Sequence, residues 1–307
     1  MRILFAGASG TLGTALVPQL RAAGHEVLAI TRSRESAARL GSASIVADAM
    51  DREGLLAALA GVRADVVLHE LTALASAPTH YRSMKATNDL RTTGTANLVE
   101  AARLVGARRM VTQSIVFGYG YRRAHPAPVD ESAPFATPEG APVDTVHAAL
   151  ASTEQQVRDA EGLEGIALRY GLFYGRDAAP VRRMLGRRML PVTRSEGVIP
   201  FIHHEDAAAA TLAAIERGTP GAAYNIADDS PASWRRYVTA AATALGAPAP
   251  ITVPVWLARA AVPYAAELMT RLDLRVSSDK ARAELGWSPR YPTVEQGWAA
   301  AASEGDA

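Results

Sequence analysis

The stretch GASGTLG, residues 7–13, constrains the fold more than any other part of the sequence, because three glycines separate an apolar run from an amphipathic one. The run RILFAG has the length of a buried strand, and residues 11–23 have helical spacing that ends at Gly24. Gly7 permits a tight turn, Gly10 a close approach to the backbone, and Gly13 close packing of helix on strand. This segment is therefore predicted to be a strand–turn–helix unit.

The same alternation of strand-length and helix-length segments continues through the first half of the chain. Strands are predicted at 26–31, 44–47, 64–69, 108–113 and 165–170, and helices at 51–60, 81–105 and 143–160. After Gly175 the rhythm changes, with a strand and a helix within 197–218, a strand at 222–228, and helices at 230–245 and 255–272. The pattern predicts an α/β fold, a Rossmann-type doubly wound parallel sheet with a smaller C-terminal α+β substrate-binding region.

The predicted division gives a dinucleotide-binding domain at 1–175, to which 203–227 returns, and a smaller substrate-binding region formed by 176–202 and 228–307.

The composition of the chain excludes several classes of function. The net charge of +1 gives no basic surface for nucleic acid, and the absence of cysteine excludes disulfides, thiolate nucleophiles and zinc–sulfur sites. Apolar runs are too short for a membrane span, so we expect a cytoplasmic protein without membrane or nucleic-acid partners.

The glycine-rich turn also predicts a ligand, because free N–H groups at the start of a helix attract an anion such as a pyrophosphate. The predicted contacts are Gly7, Ser9, Gly10, Thr11, Leu12 and Gly13. At the end of the second strand, where an acid would favour NAD(H), the sequence has Arg32, Ser33 and Arg34, which favours NADP(H) over NAD(H). Asp48 and Ala49 are expected beside the adenine. The alternatives are a packing turn without a ligand and a solvated turn at 32–34.

Seven segments, in order, resemble the extended short-chain dehydrogenase/reductase family, the NAD-dependent epimerase/dehydratases. They are GASGTLG, residues 69–73, NDLRTTGTANLVEAAR, LRYGLFYG, FIHHEDAAAA, YNIADD and DKARAELGWSP. The resemblance implies that Leu71 and Thr72 line the cofactor and that Tyr170 and Leu172 lie beside the nicotinamide. It also implies a possible homodimer through the helices at 88–105 and 143–160.

The catalytic residues of that family are missing. Its serine or threonine after the fifth strand is replaced by Gln113, its tyrosine by Val146 and its lysine by Leu150. The stretch YRSMK repeats the tyrosine–lysine spacing, but it lies about sixty residues upstream, so we interpret it as coincidence; Tyr81 could still touch a substrate. The resemblance therefore implies an atypical active site.

Other residues are candidates for the chemistry. Ser114 and Gln113 could donate hydrogen bonds to a substrate oxygen, or Ser114 could fix a loop. Tyr119 could cover the pocket or pack its own loop, as could its neighbour Tyr121. His147 could protonate an alkoxide, or it could be an ordinary surface or core histidine.

Two further clusters carry charge. His203 and His204 are neighbours on a predicted strand and point to opposite faces, so no metal site is predicted there. The arginines between 182 and 188 could face an anionic substrate or form a solvated helix face.

Three functions remain open. The first is an NADP(H)-dependent oxidoreductase acting on a carbonyl, enone or hydroxyl group of a small molecule, with non-standard proton delivery. The second is a sugar-nucleotide epimerase or dehydratase, which would begin by oxidising an alcohol and would need a base where Val146 stands. The third is a non-catalytic NADP-binding sensor or scaffold.

Overall fold

The structure is a computed structural model that describes residues 1–40, 43–74, 78–121, 127–176, 178–194 and 197–304. Seven strands form the main sheet: β1 (Arg2–Ala6), β2 (Glu26–Thr31), β3 (Ala43–Val46), β4 (Val66–His69), β5 (Arg109–Ile115), β6 (Glu164–Tyr170) and β10 (Ala223–Ile226). Two small sheets pair β7 (Leu172–Tyr174) with β9 (Phe201–His203) and β8 (Val198–Ile199) with β11 (Ala232–Ser233).

Helices connect these strands. They are α1 (Thr11–Ala22), α2 (Arg34–Leu40), α3 (Arg52–Ala58), α4 (Lys85–Asp89), α5 (Thr95–Leu104), α6 (Asp144–Arg158), α7 (Ala178–Gly186), α8 (His204–Arg217), α9 (Trp234–Ala244), α10 (Val255–Ala261), α11 (Pro263–Arg271), α12 (Asp279–Leu285) and α13 (Val294–Glu304). Two 3-10 turns cover Tyr81–Met84 and Val116–Tyr119, and a π-helical turn covers Leu90–Gly94.

The main sheet is parallel throughout and is covered on both faces. Its strand order is β10-β6-β5-β4-β1-β2-β3. Residues of α1, α8 and α12 form the core on one face, and residues of α3, α5 and α6 form the core on the other. Strands enclosed in this way are apolar on both sides, which explains why β1 and β4 are continuous hydrophobic runs. The predicted Rossmann-type fold is confirmed.

The strand order places the ligand-binding edge. The chain runs outward from β1 to β3 and then crosses back to β4 on the other side of β1. A crevice forms at the carboxyl ends of parallel strands where the order reverses in this way. The loops that follow β1, β2, β4 and β5 therefore meet at one edge of the sheet.

Two helical predictions needed correction. The single helix predicted at 255–272 is two helices, because Pro263 has no N–H to donate and Val262 leaves helical geometry with φ −139° and ψ 66°. The helix predicted at 81–105 is one helical stretch, but it includes 3-10 and π-helical turns. Helices α2, α12 and α13 were not predicted at all.

A membrane crossing would need a longer and more apolar helix than any found among the described residues. The division into a dinucleotide-binding domain and a substrate-binding region remains a prediction.

Candidate active site

The glycine-rich turn forms an open cradle at the start of α1. Gly7 has a φ of +116°, and its carbonyl accepts a 2.9 Å hydrogen bond from the Gly10 N–H. A Cβ on Gly13 would lie 2.4 Å from the Gly7 oxygen, so only glycine allows the helix to pack this closely. Gly10 caps α1 without a side-chain hydrogen bond, and Thr11 is exposed. The first N–H groups of α1 are therefore suited to a pyrophosphate.

Ser9 and Leu12, two other expected contacts along the glycine-rich turn, differ in the exposure of their side chains. Ser9 is exposed beside the turn, whereas the side chain of Leu12 is buried in the core beneath it. Leu12 can therefore contribute only its backbone to the cradle.

The end of β2 carries an unpaired cation. Arg32 is exposed and makes no hydrogen bond or ion pair with the residues that the structure describes. The Ser33 hydroxyl accepts a 3.1 Å hydrogen bond from the Ser36 N–H, as an N-cap of α2 does, and Arg34 is the exposed first residue of that helix. The positively charged side chains of Arg32 and Arg34 are better suited to bind an anion than to bind an uncharged ribose hydroxyl.

The remaining expected cofactor contacts lie along the same edge. Asp48 is exposed after β3, and the carbonyl of buried Ala49 accepts a 2.8 Å hydrogen bond from the Asn97 amide. Leu71 is half-buried and Thr72 is exposed after β4. All four residues follow the carboxyl ends of β3 and β4.

Tyr170 was expected beside the nicotinamide, and the structure buries its side chain in the core. It is fully buried, its hydroxyl donates to Glu70 over 3.2 Å, and it shares a 2.7 Å hydrogen bond with Thr211. The phenol is thus inside the core, whereas Leu172 is half-buried at the start of β7. Glu70 was not predicted. Burial raises its pKa to about 8, and its second oxygen has no partner among the described residues.

The two residues expected at the family's tyrosine and lysine positions are apolar. Val146 and Leu150 are buried on α6, and neither side chain can move a proton. Gln113 lies half-buried at the carboxyl end of β5, and its amide makes no hydrogen bond with any described residue. Its amide is therefore free to bind a substrate, as both donor and acceptor.

Ser114 and Tyr119 belong to a buried network instead of the open crevice. The Ser114 hydroxyl donates to Glu154, which forms an ion pair with Arg169 at 2.7 Å. Arg169 donates to the Tyr119 hydroxyl over 2.6 Å, and Tyr119 donates to the Asn225 side chain over 2.9 Å. Adjacent residues on a strand face opposite sides, so Ser114 points away from the side on which Gln113 lies. Neither Ser114 nor Tyr119 has the expected position facing a substrate.

A second polar cluster adjoins Val146. His147 is buried, and neither ring nitrogen has a hydrogen-bond partner among the described residues. Burial lowers its pKa, and its ring lies edge-on to Tyr121 with 5.6 Å between centroids. Arg91 and Tyr264 complete the cluster: each influences the pKa of Tyr121. Sequence reasoning missed Arg91 and Tyr264, although an arginine within a helix of small residues was a visible signal.

YRSMK is not arranged as a catalytic pair. The Lys85 ammonium pairs with Asp89 at 2.7 Å, and the Tyr81 ring packs against Tyr264 with 5.2 Å between centroids.

The neighbouring histidines have separate partners. His203 accepts a 3.3 Å hydrogen bond from the Glu205 N–H, whereas His204 contacts the Tyr174 carbonyl at 2.7 Å. The arginines at 182, 183, 187 and 188 are exposed.

Comparison with known proteins identifies the family of the chain and shows proteins with a similar fold. Residues 3–227 match the NAD dependent epimerase/dehydratase family. The chain is 38% identical to a 3-diazoavenalumate denitrifying reductase of Streptomyces sp, over 97% of this chain and 99% of the relative. It is 33% identical to a 2-alkyl-3-oxoalkanoate reductase of Stenotrophomonas maltophilia, over 81% and 77%. A UDP-glucose 4-epimerase from Thermotoga maritima superimposes with a TM-score of 0.80 at 20% identity, covering 100% and 99%.

We expect Arg169→Met to lower the free energy of unfolding by about 3–5 kcal/mol, because it leaves Glu154 as a buried, unpaired acid. Urea denaturation measures the change. The double variant Glu154→Leu/Arg169→Met should recover much of the loss. As a control, Arg158→Met removes an exposed ion pair and should change stability by about 1 kcal/mol at most. A similarly small effect of Arg169→Met would contradict the network.

Glu70 predicts a dependence of stability on pH. Its pKa is about 8 in the folded protein against 4.5 as its ordinary value, so between these limits the folded state keeps a proton that the unfolded state has lost. Stability from this group is therefore lost as pH rises, by about 1.4 kcal/mol per pH unit. Glu70→Gln should stabilise the protein more at pH 8 than at pH 5. Equal effects at both pH values would refute the protonated state; Glu100→Gln, an exposed acid, is the control.

Proposed function

The chain belongs to the NAD dependent epimerase/dehydratase family and is a nicotinamide-dependent enzyme, and we propose that it is an NADPH-dependent reductase that works without the family's tyrosine–lysine pair. One observation carries this proposal. The cradle at residues 7–13 is complete, while Val146 and Leu150 make the proton-transferring positions buried and apolar. Hydride transfer depends on orientation and electrostatics, which such a site retains.

The preference for NADP(H) rests on the edge of β2. Arg32 is exposed there and has no partner among the described residues. Arg34, two residues further along the chain, adds a second positive charge. An arginine fork binds a phosphate monoester with charge-assisted hydrogen bonds, whereas it gives a ribose hydroxyl no comparable partner. Asp48 and Ala49 after β3, together with Leu71 and Thr72 after β4, would hold the rest of the nucleotide.

The residues of the chain then act on the substrate. A bound dihydronicotinamide supplies the hydride. Gln113 would orient the acceptor through its amide, from the face of the sheet opposite to α6, and the buried apolar side chains of Val146 and Leu150 keep water out on the α6 side. Dehydration of this kind strengthens the remaining polar contacts.

The absence of a proton relay favours particular acceptors. Oxidation of an alcohol, with which an epimerase or dehydratase begins, needs a base that Val146 does not provide. An arenediazonium needs none: it takes up one hydride, the C–N bond breaks with loss of N2, and an arene remains. The name of the Streptomyces relative describes a diazo compound and removal of nitrogen. We therefore propose an aromatic diazo compound as the first acceptor class.

His147 supports a second candidate, reduction of a carbonyl or enone. Its unpartnered nitrogens lie next to Val146 in sequence, so a neutral imidazole could donate the proton that an alkoxide requires. The relative from Stenotrophomonas maltophilia is named for reduction of a 3-oxo acid. The names of both relatives describe carboxylates.

The proposal also includes an oligomeric state, a substrate-binding region and a cellular location. Helices α5 and α6 pack side by side, and Leu104 is exposed on α5, which supports a homodimer built on this pair. We also propose that residues 176–202 and 228–307 form the substrate-binding region and that the protein acts in the cytoplasm.

We predict that Arg32→Ala weakens NADPH binding by about tenfold or more, because it removes the ion pair with the 2′-phosphate. NADH affinity should change by about twofold at most. Fluorescence titration with both nucleotides measures the ratio. Arg39→Ala, which removes an exposed arginine from the same part of the chain, is the matched control. An unchanged NADPH/NADH ratio in Arg32→Ala would remove the basis for NADP(H) preference.

We predict turnover of an arenediazonium carboxylate with NADPH at a rate that varies little between about pH 6 and 9, because this reaction needs neither a proton donor nor a base. Mass spectrometry identifies the arene product, with an enzyme-free reaction as background control. Turnover of a 3-oxo acid instead, lost in His147→Phe, would favour the second candidate. Binding of NADPH without turnover of either compound would contradict both and favour a sensor.

A further inference from the structure

Four polar side chains are enclosed together and satisfy one another only in part, through the contact between Tyr121 and Tyr264. Arg91, Tyr121, His147 and Tyr264 are between 3% and 7% exposed. One guanidinium nitrogen of Arg91, the Tyr121 hydroxyl and both ring nitrogens of His147 have no hydrogen-bond partner among the described residues. Buried polar groups are normally hydrogen-bonded, so this concentration of unused donors indicates a missing partner.

The missing partner is an anion. Burial lowers the pKa of Arg91 only to about 10, so the guanidinium stays charged at neutral pH. The groups that influence it are two tyrosines, Tyr264 and Tyr121, and no carboxylate pairs with it in the described part of the chain. Arg169, which is equally buried, has Glu154 at 2.7 Å. A buried cation without such a partner is strongly unfavourable, and a ligand carrying negative charge would remove the penalty.

The cluster adjoins the proposed reaction centre. His147 follows Val146 on α6, and Arg91 lies in the π-helical turn that leads into α5. Local π-helical geometry is frequent at functional sites, because it redirects side chains that a regular helix would place elsewhere. Tyr121 and Tyr264 belong to a hydrophobic core cluster that also includes Met84 and Val146, with Leu74, Tyr81 and Ile115 packed against it.

We propose that Arg91, assisted by Tyr121 and His147, binds the carboxylate of a substrate whose remaining body is aromatic or aliphatic. This inference rests on the proposed reductase function and specifies its substrate class. The planar guanidinium matches a carboxylate in a two-point contact, and the phenol and imidazole add neutral donors. Within the described cluster Arg91 is the one permanent cation, which balances a monoanion better than a phosphate dianion.

The test compares a carboxylate with its neutral counterpart. 4-Phenylbutanoate and 4-phenylbutanamide are titrated by calorimetry into the full chain, with and without NADPH. We expect the carboxylate to bind at least about tenfold more tightly than the amide. Arg91→Met should abolish that difference, and Arg91→Lys should retain part of it because the charge remains. Arg103→Met, which removes an exposed arginine downstream of the same stretch, should leave it unchanged.

Thermal unfolding separates a binding role from a structural one. We expect Arg91→Met to raise the melting temperature of the ligand-free protein, because a buried unpaired charge is removed; a structural arginine would lower it. NADPH titration of the same variants reports separately on the proposed function, since NADPH affinity should not depend on Arg91. The inference is overturned if the wild type binds the acid and the amide equally, if neither binds at about 10 mM, or if Arg91→Met keeps the difference.

Discussion

The buried ion pair between Glu154 and Arg169 holds the active-site edge of the sheet together. It joins α6 to β6, and through Ser114, Tyr119 and Asn225 it reaches β5, the turn that follows β5, and β10. A pair enclosed in this way is stable only when its remaining donors and acceptors are used, and here the hydroxyl groups use them. The network thereby fixes the position of α6, on which the catalytic tyrosine and lysine of the family would stand.

The glycine-rich turn and the residues on α6 differ in what they offer a ligand. At the cofactor end, backbone geometry at Gly7 and Gly13 forms a cradle that other residues could not form. On α6, the side chains of Val146 and Leu150, which we expect at the family's proton-transfer positions, are apolar and buried. The buried arginines show the same contrast: Arg169 is fully paired within the fold, whereas Arg91 is left without a described partner. A site of this kind favours a hydride acceptor that is held by charge and needs little proton transfer.

The sequence predicted the features that depend on local pattern. Glycine spacing and the alternation of apolar runs predicted the sheet and the cradle, and Pro263 carried an overlooked signal for the break between α10 and α11. It did not predict the surroundings of Ser114 and Tyr170, because a hydroxyl faces a pocket or a core according to partners distant in sequence. The burial of Arg91 likewise depends on long-range packing.

Transfer of deuterium from NADPH labelled at C4 of the dihydronicotinamide reports directly whether the substrate receives its hydride from the nucleotide. The purified protein is incubated with the labelled nucleotide and an arenediazonium carboxylate, and the product is analysed by mass spectrometry. Direct hydride transfer predicts one deuterium on the arene carbon that carried nitrogen. Product without deuterium would contradict direct hydride transfer at this site.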